Sequence, residues 1–287
     1  MSAGGRAASQ QPQPSRQWRL AEALRPYVTS LHVYDVDLGA PGVHRGLPST
    51  SLTLVLPVEE PLVVGWAGDG SSRRPRWSTV SGLHSAPAEI HHDGHQRGLQ
   101  LALTPAGARA LLGVPASALS RELLELEEAA PALADLPERL AESATPTARL
   151  RVVEQALLLA LARHGEEEPR AEVGHALARL TRGARVAEVA ADVGYSRRRL
   201  STLVRDECGV TPKEFQRIAR FQRSRSVLAR NAAAGRPDLA GVAGVAGYAD
   251  QSHLTREWVA MAGCTPTTWL REEFPFLQDG GGVDRRG

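Results

Sequence analysis

Residues 193–205 read VGYSRRRLSTLVR, and residues 246–258 read AGYADQSHLTREW. The two stretches share a Gly-Tyr pair and, shifted by one residue, a leucine at the same place in the pattern. Each is followed by Gly-x-Thr-Pro, as GVTP at 209–212 and as GCTP at 263–266. An internal repeat with shared glycine and proline positions predicts two copies of one supersecondary unit.

The first copy has the pattern of two short helices joined by a turn. The first helix is predicted by apolar residues at i, i+3, i+4 and i+7, which are Val186, Val189, Ala190 and Val193. Gly194 accepts a positive φ without a Cβ penalty, and Ser196 is a good N-cap for the second helix. We expect Leu200, Leu203 and Val204 on the inner side of that helix. A short helix, a glycine turn and a second helix with a polar outer side are typical of a helix-turn-helix. The outer side carries the residues that we predict to contact DNA, which are Arg197, Arg198, Ser201, Thr202 and Arg205.

The second copy repeats this arrangement. Its supporting helix has an apolar face made of Leu239, Val242, Ala243 and Ala246. Gly247 makes the turn, and Asp250 is placed to cap a helix whose Leu254, Trp258 and Val259 we expect to pack inward. The predicted DNA contacts on its outer side are Gln251, Ser252, Thr255 and Arg256. Glutamine pairs with adenine and arginine with guanine in the major groove, and serine or threonine bonds to bases or phosphates.

A linking helix is predicted between the copies. It begins at Thr211-Pro212, an N-cap followed by a proline in the first turn, and continues through Leu228. A rigid helix here holds two recognition helices at a fixed separation, and successive major grooves lie about 34 Å apart. One side of the helix carries Arg217, Arg220, Arg223 and Arg225. This row is compatible with phosphate contacts or with an ordinary solvated face.

The charge distribution favours a nucleic-acid partner for the C-terminal part. The whole chain of 287 residues has a net charge of only +2, but residues 175–230 hold 13 basic and 5 acidic residues. Such a local excess suits a surface that faces phosphates, although a solvated helix face has similar statistics.

On these residues, the segment 175–275 resembles the DNA-binding domain of the AraC/XylS family of bacterial transcription regulators. The matching parts are the first unit at 186–204, the linking helix at 211–228 and the second unit at 239–270. In that family both units insert a recognition helix into the major groove. The resemblance gives this role to Arg198, Ser201 and Thr202 in the first helix and to Gln251, Ser252, Thr255 and Arg256 in the second. The family often has an aromatic residue where this chain has Val204 and Trp258, and both keep the position apolar.

The N-terminal half has a different pattern. Short apolar runs predict strands at 31–36, 52–56, 62–66, 79–83 and 99–103. Helical patterns follow at 106–112, 118–128 and 149–163. We therefore predict an α+β chain, with a small antiparallel β-barrel of cupin-like type, or a sandwich, followed by helices and by an all-α C-terminal domain. AraC-type proteins commonly carry such a domain to sense a ligand or to dimerise.

These patterns predict the domain organisation. We expect disordered tails at 1–17 and 277–287, a sensor or dimerisation domain at 18–165, a linker at 166–173 and the DNA-binding domain at 174–276. Because no long apolar run or secretory signal is present, we expect a cytoplasmic, nucleoid-associated protein with no membrane partner. The expected partners are double-stranded DNA, RNA polymerase, a possible small-molecule effector and a second copy of the chain. We expect no catalytic residues and no cofactor.

The N-terminal histidines leave a second class of function open. His91, His92 and His95 cluster in sequence, with His44 and His84 nearby, so a metal-dependent, cupin-like enzyme fused to a DNA-binding domain is an alternative. Neighbouring residues of a strand point to opposite faces, so we favour a polar turn and predict no metal site. We expect Cys208 and Cys264 to be reduced, buried thiols. They leave no cysteines for the zinc site of an AraC-like repair protein. A non-specific architectural DNA binder is a further alternative, disfavoured by the outward Gln251, Thr255 and Arg256.

Overall fold

The computed structural model describes residues 19–165 and 170–272. The predicted tails and half of the predicted linker, residues 166–169, therefore lie outside the described residues. The described part of the N-terminal half forms two antiparallel sheets and several helices, and the C-terminal half is helical. The prediction of an α+β chain with an all-α C-terminal domain is confirmed.

The strands of the described residues form two sheets. Their bounds are β1 (Val28–Asp37), β2 (Gly42–Gly46), β3 (Leu52–Pro57), β4 (Leu62–Trp66), β5 (Arg74–Arg76), β6 (Thr79–Ser81), β7 (Ala88–His92), β8 (His95–Leu103) and β9 (Leu123–Leu124). One sheet has the order β1-β8-β3-β6-β9, and the other has the order β2-β7-β4-β5. The five predicted strands correspond to β1, β3, β4, β6 and β8.

The helices account for the rest of the regular structure. Their bounds are α1 (Pro105–Gly107), α2 (Leu126–Ala129), α3 (Leu136–Ala141), α4 (Pro146–His164), α5 (Ala171–Thr181), α6 (Val186–Asp192), α7 (Arg197–Cys208), α8 (Pro212–Ala233), α9 (Leu239–Ala246), α10 (Gln251–Ala262) and α11 (Pro266–Glu272). A π-helical turn continues α1 through Leu112 and ends at Gly113, whose φ is +75°. The predicted helices at 106–112 and 149–163 are confirmed, and α5 begins inside the range predicted as linker.

The predicted helix at 118–128 is wrong. The chain forms a 3₁₀ turn at Ala116–Leu119 and then the short strand β9 before α2 begins. Arg121 has a φ of +64°, which no α-helix contains, and its N–H donates to the carbonyl of Leu83. Pairing with the sheet thus replaces the helical hydrogen bonds that the apolar spacing suggested.

The five-stranded sheet packs one face on the helices. Alternate leucines of β3 and β8 are fully buried beside one another, and these are Leu52, Leu54, Leu56, Leu99, Leu101 and Leu103. They join one apolar cluster with residues of α4 such as Val153 and Leu157. The opposite face meets the second sheet, where Val55 packs against a small buried cluster that includes Leu62 and Val64 of β4. This gives the N-terminal half a sheet-on-sheet arrangement with a helical layer on one side.

The two sheets do not close into a barrel within the described residues, so the barrel form of the prediction is corrected to a sandwich. The edge strands β5 and β9 are only three and two residues long. Where a ladder between them would close the barrel, the buried Arg76 instead donates to the carbonyls of Val64 (2.9 Å) and Leu123 (3.2 Å). A side chain therefore joins the two edges in place of backbone pairing.

The helical half contains the predicted repeat. The pairs α6–α7 and α9–α10 are the two helix-turn-helix units, and α8 links them. The first unit shares the apolar cluster of the N-terminal domain, whereas the second unit has a separate cluster with Ile218 and Phe221 of α8. The N-terminal domain and the first unit are thus packed on one continuous core.

Candidate DNA-binding site

The first recognition helix, α7, begins and ends as its sequence predicts. The Ser196 side chain accepts a hydrogen bond from the Arg199 N–H at 3.2 Å, and Gly209 ends the helix with a φ of +71°. Leu200, Leu203 and Val204 are buried as expected. Of the predicted DNA contacts, Ser201 is half-buried, and the exposed ones are Arg197, Arg198, Thr202 and Arg205.

The second recognition helix, α10, has the same design. The Asp250 carboxylate accepts a hydrogen bond from the His253 N–H at 2.6 Å, and Gly263 ends the helix with a φ of +68°. Both helices have 12 residues, but the N-cap of α10 follows Gly247 by three residues whereas that of α7 follows Gly194 by two, which explains the shift in the sequence repeat. Thr255 is half-buried, and the other predicted contacts of α10 are exposed, namely Gln251, Ser252 and Arg256.

One threonine of each helix has its hydroxyl proton committed within the helix. Thr202 donates to the carbonyl of Arg198 at 3.2 Å, and Thr255 donates to that of Gln251 at 2.9 Å. Each hydroxyl oxygen then remains as an acceptor beside a methyl group. The two side chains suit a base amino group or a thymine methyl.

Val259 does not pack inward as expected. Its exposed fraction is 48%, and Met261 is fully buried instead. Val259 follows the N-cap of α10 by nine residues, as Arg205 follows that of α7, so it lies on the outer side of the helix. An apolar side chain there is a further candidate for contact with a thymine methyl, and the repeat alignment alone indicates its position.

The orientation of α10 is fixed by Trp258, which is fully buried. Its indole Nε1 donates to the Ser224 Oγ of α8 at 2.9 Å. Its ring contacts Phe221 and Trp269 at centroid distances of 5.1 and 5.3 Å. The position that often holds Phe in the related family is here a hydrogen-bonded tryptophan.

The arginines of the linking helix α8 have different partners. Arg217 makes two hydrogen bonds of 3.1 Å to the carboxylate of Glu257 on α10, and this contact raises the pKa of the guanidinium. Arg220 lies over the ring of Tyr248 at 5.3 Å, and Arg223 donates to the carbonyl of Thr181. The predicted single basic face is therefore divided, and Arg217 is used to hold α10.

The N-terminal domain holds the far end of α7. Arg109 donates from Nε and Nη2 to the Glu207 carboxylate at 3.2 and 3.0 Å, and Ser117 Oγ donates to the Asp206 carbonyl at 2.6 Å. These contacts lie at the C-terminal end of the helix. The N-terminal turn, which carries Arg197 and Arg198, is left uncovered by them.

The histidines are arranged differently from the expected turn. His91 and His92 belong to β7, His95 begins β8, and the turn between the strands is Asp93-Gly94. His92 stacks on His44 at a centroid distance of 5.7 Å, whereas His91 lies 3.6 Å from the Glu89 carboxylate. The described residues contain no group of three or more His, Cys, Asp or Glu side chains that is suited to hold a metal ion.

Both cysteines are buried, as expected. Cys208 closes α7 and Cys264 follows α10, and neither forms a disulfide in the described residues. Burial raises the pKa of the Cys208 thiol. Within residues 19–165 and 170–272, none of the helices combines the length and the apolarity that a membrane span needs.

Comparison with known proteins adds a family assignment for the C-terminal region. A family model described as a helix-turn-helix domain matches residues 189–272. Among solved structures, ToxT from Vibrio cholerae is similar with a TM-score of 0.49 and 12% identity, covering 85% of this chain and 98% of ToxT. The C-terminal domain of AraT, a response regulator from Geobacillus stearothermophilus, has a TM-score of 0.32 and 16% identity, covering 36% of this chain and 86% of that domain. The AraC-like transcriptional activator CuxR has a TM-score of 0.24 and 14% identity, covering 71% of this chain and 83% of CuxR.

No curated protein matches the sequence. The family match covers both recognition helices and the whole linking helix. Together with the two capped units described above, it shows that the C-terminal region of this chain is a helix-turn-helix domain.

Proposed function

We propose that this chain is a sequence-specific DNA-binding transcription regulator without catalytic activity, in which α7 and α10 read successive major grooves. The observation that carries the proposal is the duplicated recognition helix. Each copy has a side-chain N-cap, a buried inner side and an outer side of Arg, Ser, Thr or Gln. These side chains are the ones that bond to base edges and phosphates.

A small-molecule effector in the N-terminal sandwich is part of the proposal. The Thr79 hydroxyl, the Ser81 hydroxyl and the His92 Nδ1 are buried and have no hydrogen-bond partner in the described residues. By strand alternation, all three lie on the faces through which the sheets meet. Buried polar groups without partners require a bound molecule or water, which supports a polar ligand between the sheets.

The remaining partners extend this function. We propose that the protein acts in the cytoplasm on nucleoid DNA, that it forms a homodimer through its N-terminal half, and that it recruits or blocks RNA polymerase. Dimerisation is supported by an apolar side of α4, where Leu158 and Leu159 are 37% and 58% exposed. Measurement of the mass of the purified protein in solution tests the dimer directly.

Selection of bound DNA from a random pool tests the function. The purified full-length protein is incubated with the pool, and the enriched sequences are compared. Two short preferred blocks about one helical turn apart are expected, because each recognition helix reads one major groove. Enrichment of a single block contradicts reading by both units, and no enrichment contradicts sequence-specific binding.

Replacing Arg256 with Ala tests base reading by α10. Arg256 is exposed on the outer side of the helix. Loss of a bidentate contact to a base weakens specific binding by about 1–3 kcal/mol and relaxes the preference at one base position. Arg25→Ala, at an exposed arginine of the N-terminal domain, is the matched control. An equal loss of affinity for every sequence would instead assign Arg256 to a phosphate.

A further inference from the structure

A basic groove separates the two helix-turn-helix units. It has a volume of about 450 Å³ and lies where the loop between α5 and α6 approaches the end of α9. The linking helix α8 forms its floor through Gln216, Ala219, Arg220 and Arg223. The rim carries Arg182 and Arg185 on one side and the turn residue Gly247 on the other.

The groove is strongly cationic. Four arginines line it, and the described residues that line it include no aspartate or glutamate. Arg185 is paired only loosely with Glu188, whose carboxylate is 4.0 Å from the Arg185 Nε, and the Arg185 side chain remains 87% exposed. A surface of this composition attracts an anion, and it is too open and polar to be an apolar ligand pocket.

The two floor arginines hold both units and retain free donors. Arg223 donates to the carbonyl of Thr181 beside the first unit. Arg220 donates to the carbonyl of Gly247 in the turn of the second unit at 3.4 Å. A guanidinium has five N–H donors, so neither contact saturates its arginine. Within the described residues, neither arginine forms an ion pair of the kind that occupies Arg217.

The position of the groove identifies its anion. Arg185 precedes the first turn of α6, and the first helix of a helix-turn-helix unit crosses the DNA backbone. Gly247 lies three residues before Asp250, the N-cap of α10. The basic groove therefore also borders the turn that precedes the second recognition helix. With one recognition helix on either side, the backbone that runs between two successive major grooves passes this position.

We propose that this groove binds the phosphates of the DNA backbone between the two major-groove segments, through Arg182, Arg185, Arg220 and Arg223. The inference rests on the proposed function, since it assumes that both units engage one duplex. The groove then contributes affinity for any sequence and sets the spacing of the two base-reading contacts. Arg217 does not take part, because Glu257 already occupies it.

The test uses the full-length protein and the double variant Arg182→Gln/Arg185→Gln, which leaves both floor arginines in place. Each lost phosphate contact reduces the slope of log K against log salt by about one, so a reduction of about two is expected. The selected DNA motif stays unchanged. The matched control is Arg25→Gln/Arg74→Gln, which removes two exposed arginines of the N-terminal domain and leaves the slope as in the wild type.

A second measurement locates the contact on the DNA. Neutral methylphosphonate linkages are placed at the phosphates between the two selected base blocks. The wild-type protein is expected to lose affinity for this DNA, and the double variant is expected to bind both forms alike. If the variant keeps the wild-type slope and the wild type tolerates the neutral linkages, the inference is overturned while selection of a motif still supports the proposed function. If no motif is selected but the double variant still lowers the slope on bulk DNA, the groove binds phosphates and sequence reading fails.

Discussion

A single buried hydroxyl, that of Ser224, connects the linking helix to the second recognition helix. It donates to the carbonyl of Phe221 and accepts from the Trp258 indole, and both side chains are fully buried. Removing only the hydroxyl leaves the indole N–H without a partner in an apolar core. An unsatisfied buried donor costs more than the net value of the hydrogen bond it has lost.

This pair is tested by a double-mutant cycle. Ser224→Ala is expected to lower the free energy of unfolding by about 1–3 kcal/mol, because it orphans the indole N–H. In the background of Trp258→Phe, which removes the donor, the same serine change is expected to cost much less. Urea denaturation followed by far-UV circular dichroism measures all four proteins, with the exposed Ser226→Ala as the control. Equal costs of Ser224→Ala in both backgrounds would show that the hydrogen bond is not the cause.

The buried imidazole of His44 makes the stability of the folded sandwich depend on pH. Burial, and then the neighbouring His92, lower its pKa from 6.5 to about 4. Below pH 6.5 the unfolded chain binds a proton at this position that the folded chain does not bind. The folded state therefore loses stability as the pH falls from about 6.5 to about 4.

Replacing His44 with Asn removes this term. The free energy of unfolding of His44→Asn is expected to fall less steeply between pH 6.5 and 4 than that of the wild type. Urea unfolding at a series of pH values measures the slope, and His175→Asn, which changes an exposed imidazole of α5, is the matched control. A slope that is unchanged in His44→Asn would assign the acid sensitivity to other groups.

The local chemistry of single residues was largely predictable from the sequence. Capping by Ser196, Thr211 and Asp250 is confirmed because an N-cap depends on neighbours within three residues. The division of the α8 arginines was not predictable. Glu257, which occupies Arg217, is 40 residues away, and only the packing of α10 on α8 brings the two together.

At the scale of elements, prediction succeeded where one face of the chain is apolar and the other polar. The leucines of β3 and β8 alternate, and both strands were found. Strand β7 reads Ala-Glu-Ile-His-His and has polar groups on both faces, so its sequence resembles a turn. It is a strand because β2 and β4 pair with it on either side, which is information that no local pattern contains.

An ion pair holds the C-terminal end of α7 to the N-terminal domain. Its removal tests how strongly the two domains are coupled. The Glu207 side chain is 9% exposed, and its partner Arg109 comes from the π-helical turn of the N-terminal domain. Arg109→Ala leaves a buried carboxylate without its cation and is expected to lower the free energy of unfolding by up to about 3 kcal/mol, since Arg109 itself is partly exposed. The surface pair Arg139–Asp135 supplies the control, and Arg139→Ala is expected to cost less than about 1 kcal/mol. Similar losses in thermal or urea unfolding of the two variants would mean that the pair does not couple the domains.

At the scale of the whole molecule, the boundary between domains does not coincide with a gap in the core. The leucines of the first sheet, the residues of α4 and the inner side of α7 belong to one apolar cluster. The second unit has its own cluster. The composition of the sequence predicted a linker between the two halves. It could not predict that the first unit packs on the N-terminal domain, because the two surfaces meet only in the folded chain.

Two glycines that end the recognition helices provide a direct test of this asymmetry. Gly209 and Gly263 have nearly the same φ, +71° and +68°, so an alanine at either position carries a similar backbone strain of about 1–2 kcal/mol. Their surroundings differ. A Cβ on Gly209 would lie 2.3 Å from the Ser120 Cβ of the N-terminal domain, whereas a Cβ on Gly263 would meet only Pro87, at 3.4 Å. Gly209→Ala is therefore expected to destabilise the protein clearly more than Gly263→Ala, because it forces the first unit away from the N-terminal domain.

Urea unfolding of both variants measures the difference, and the added Ser120→Gly change is expected to recover part of the loss at Gly209 but none at Gly263. Equal losses for the two glycines would show that the N-terminal domain does not hold the first unit closely in solution.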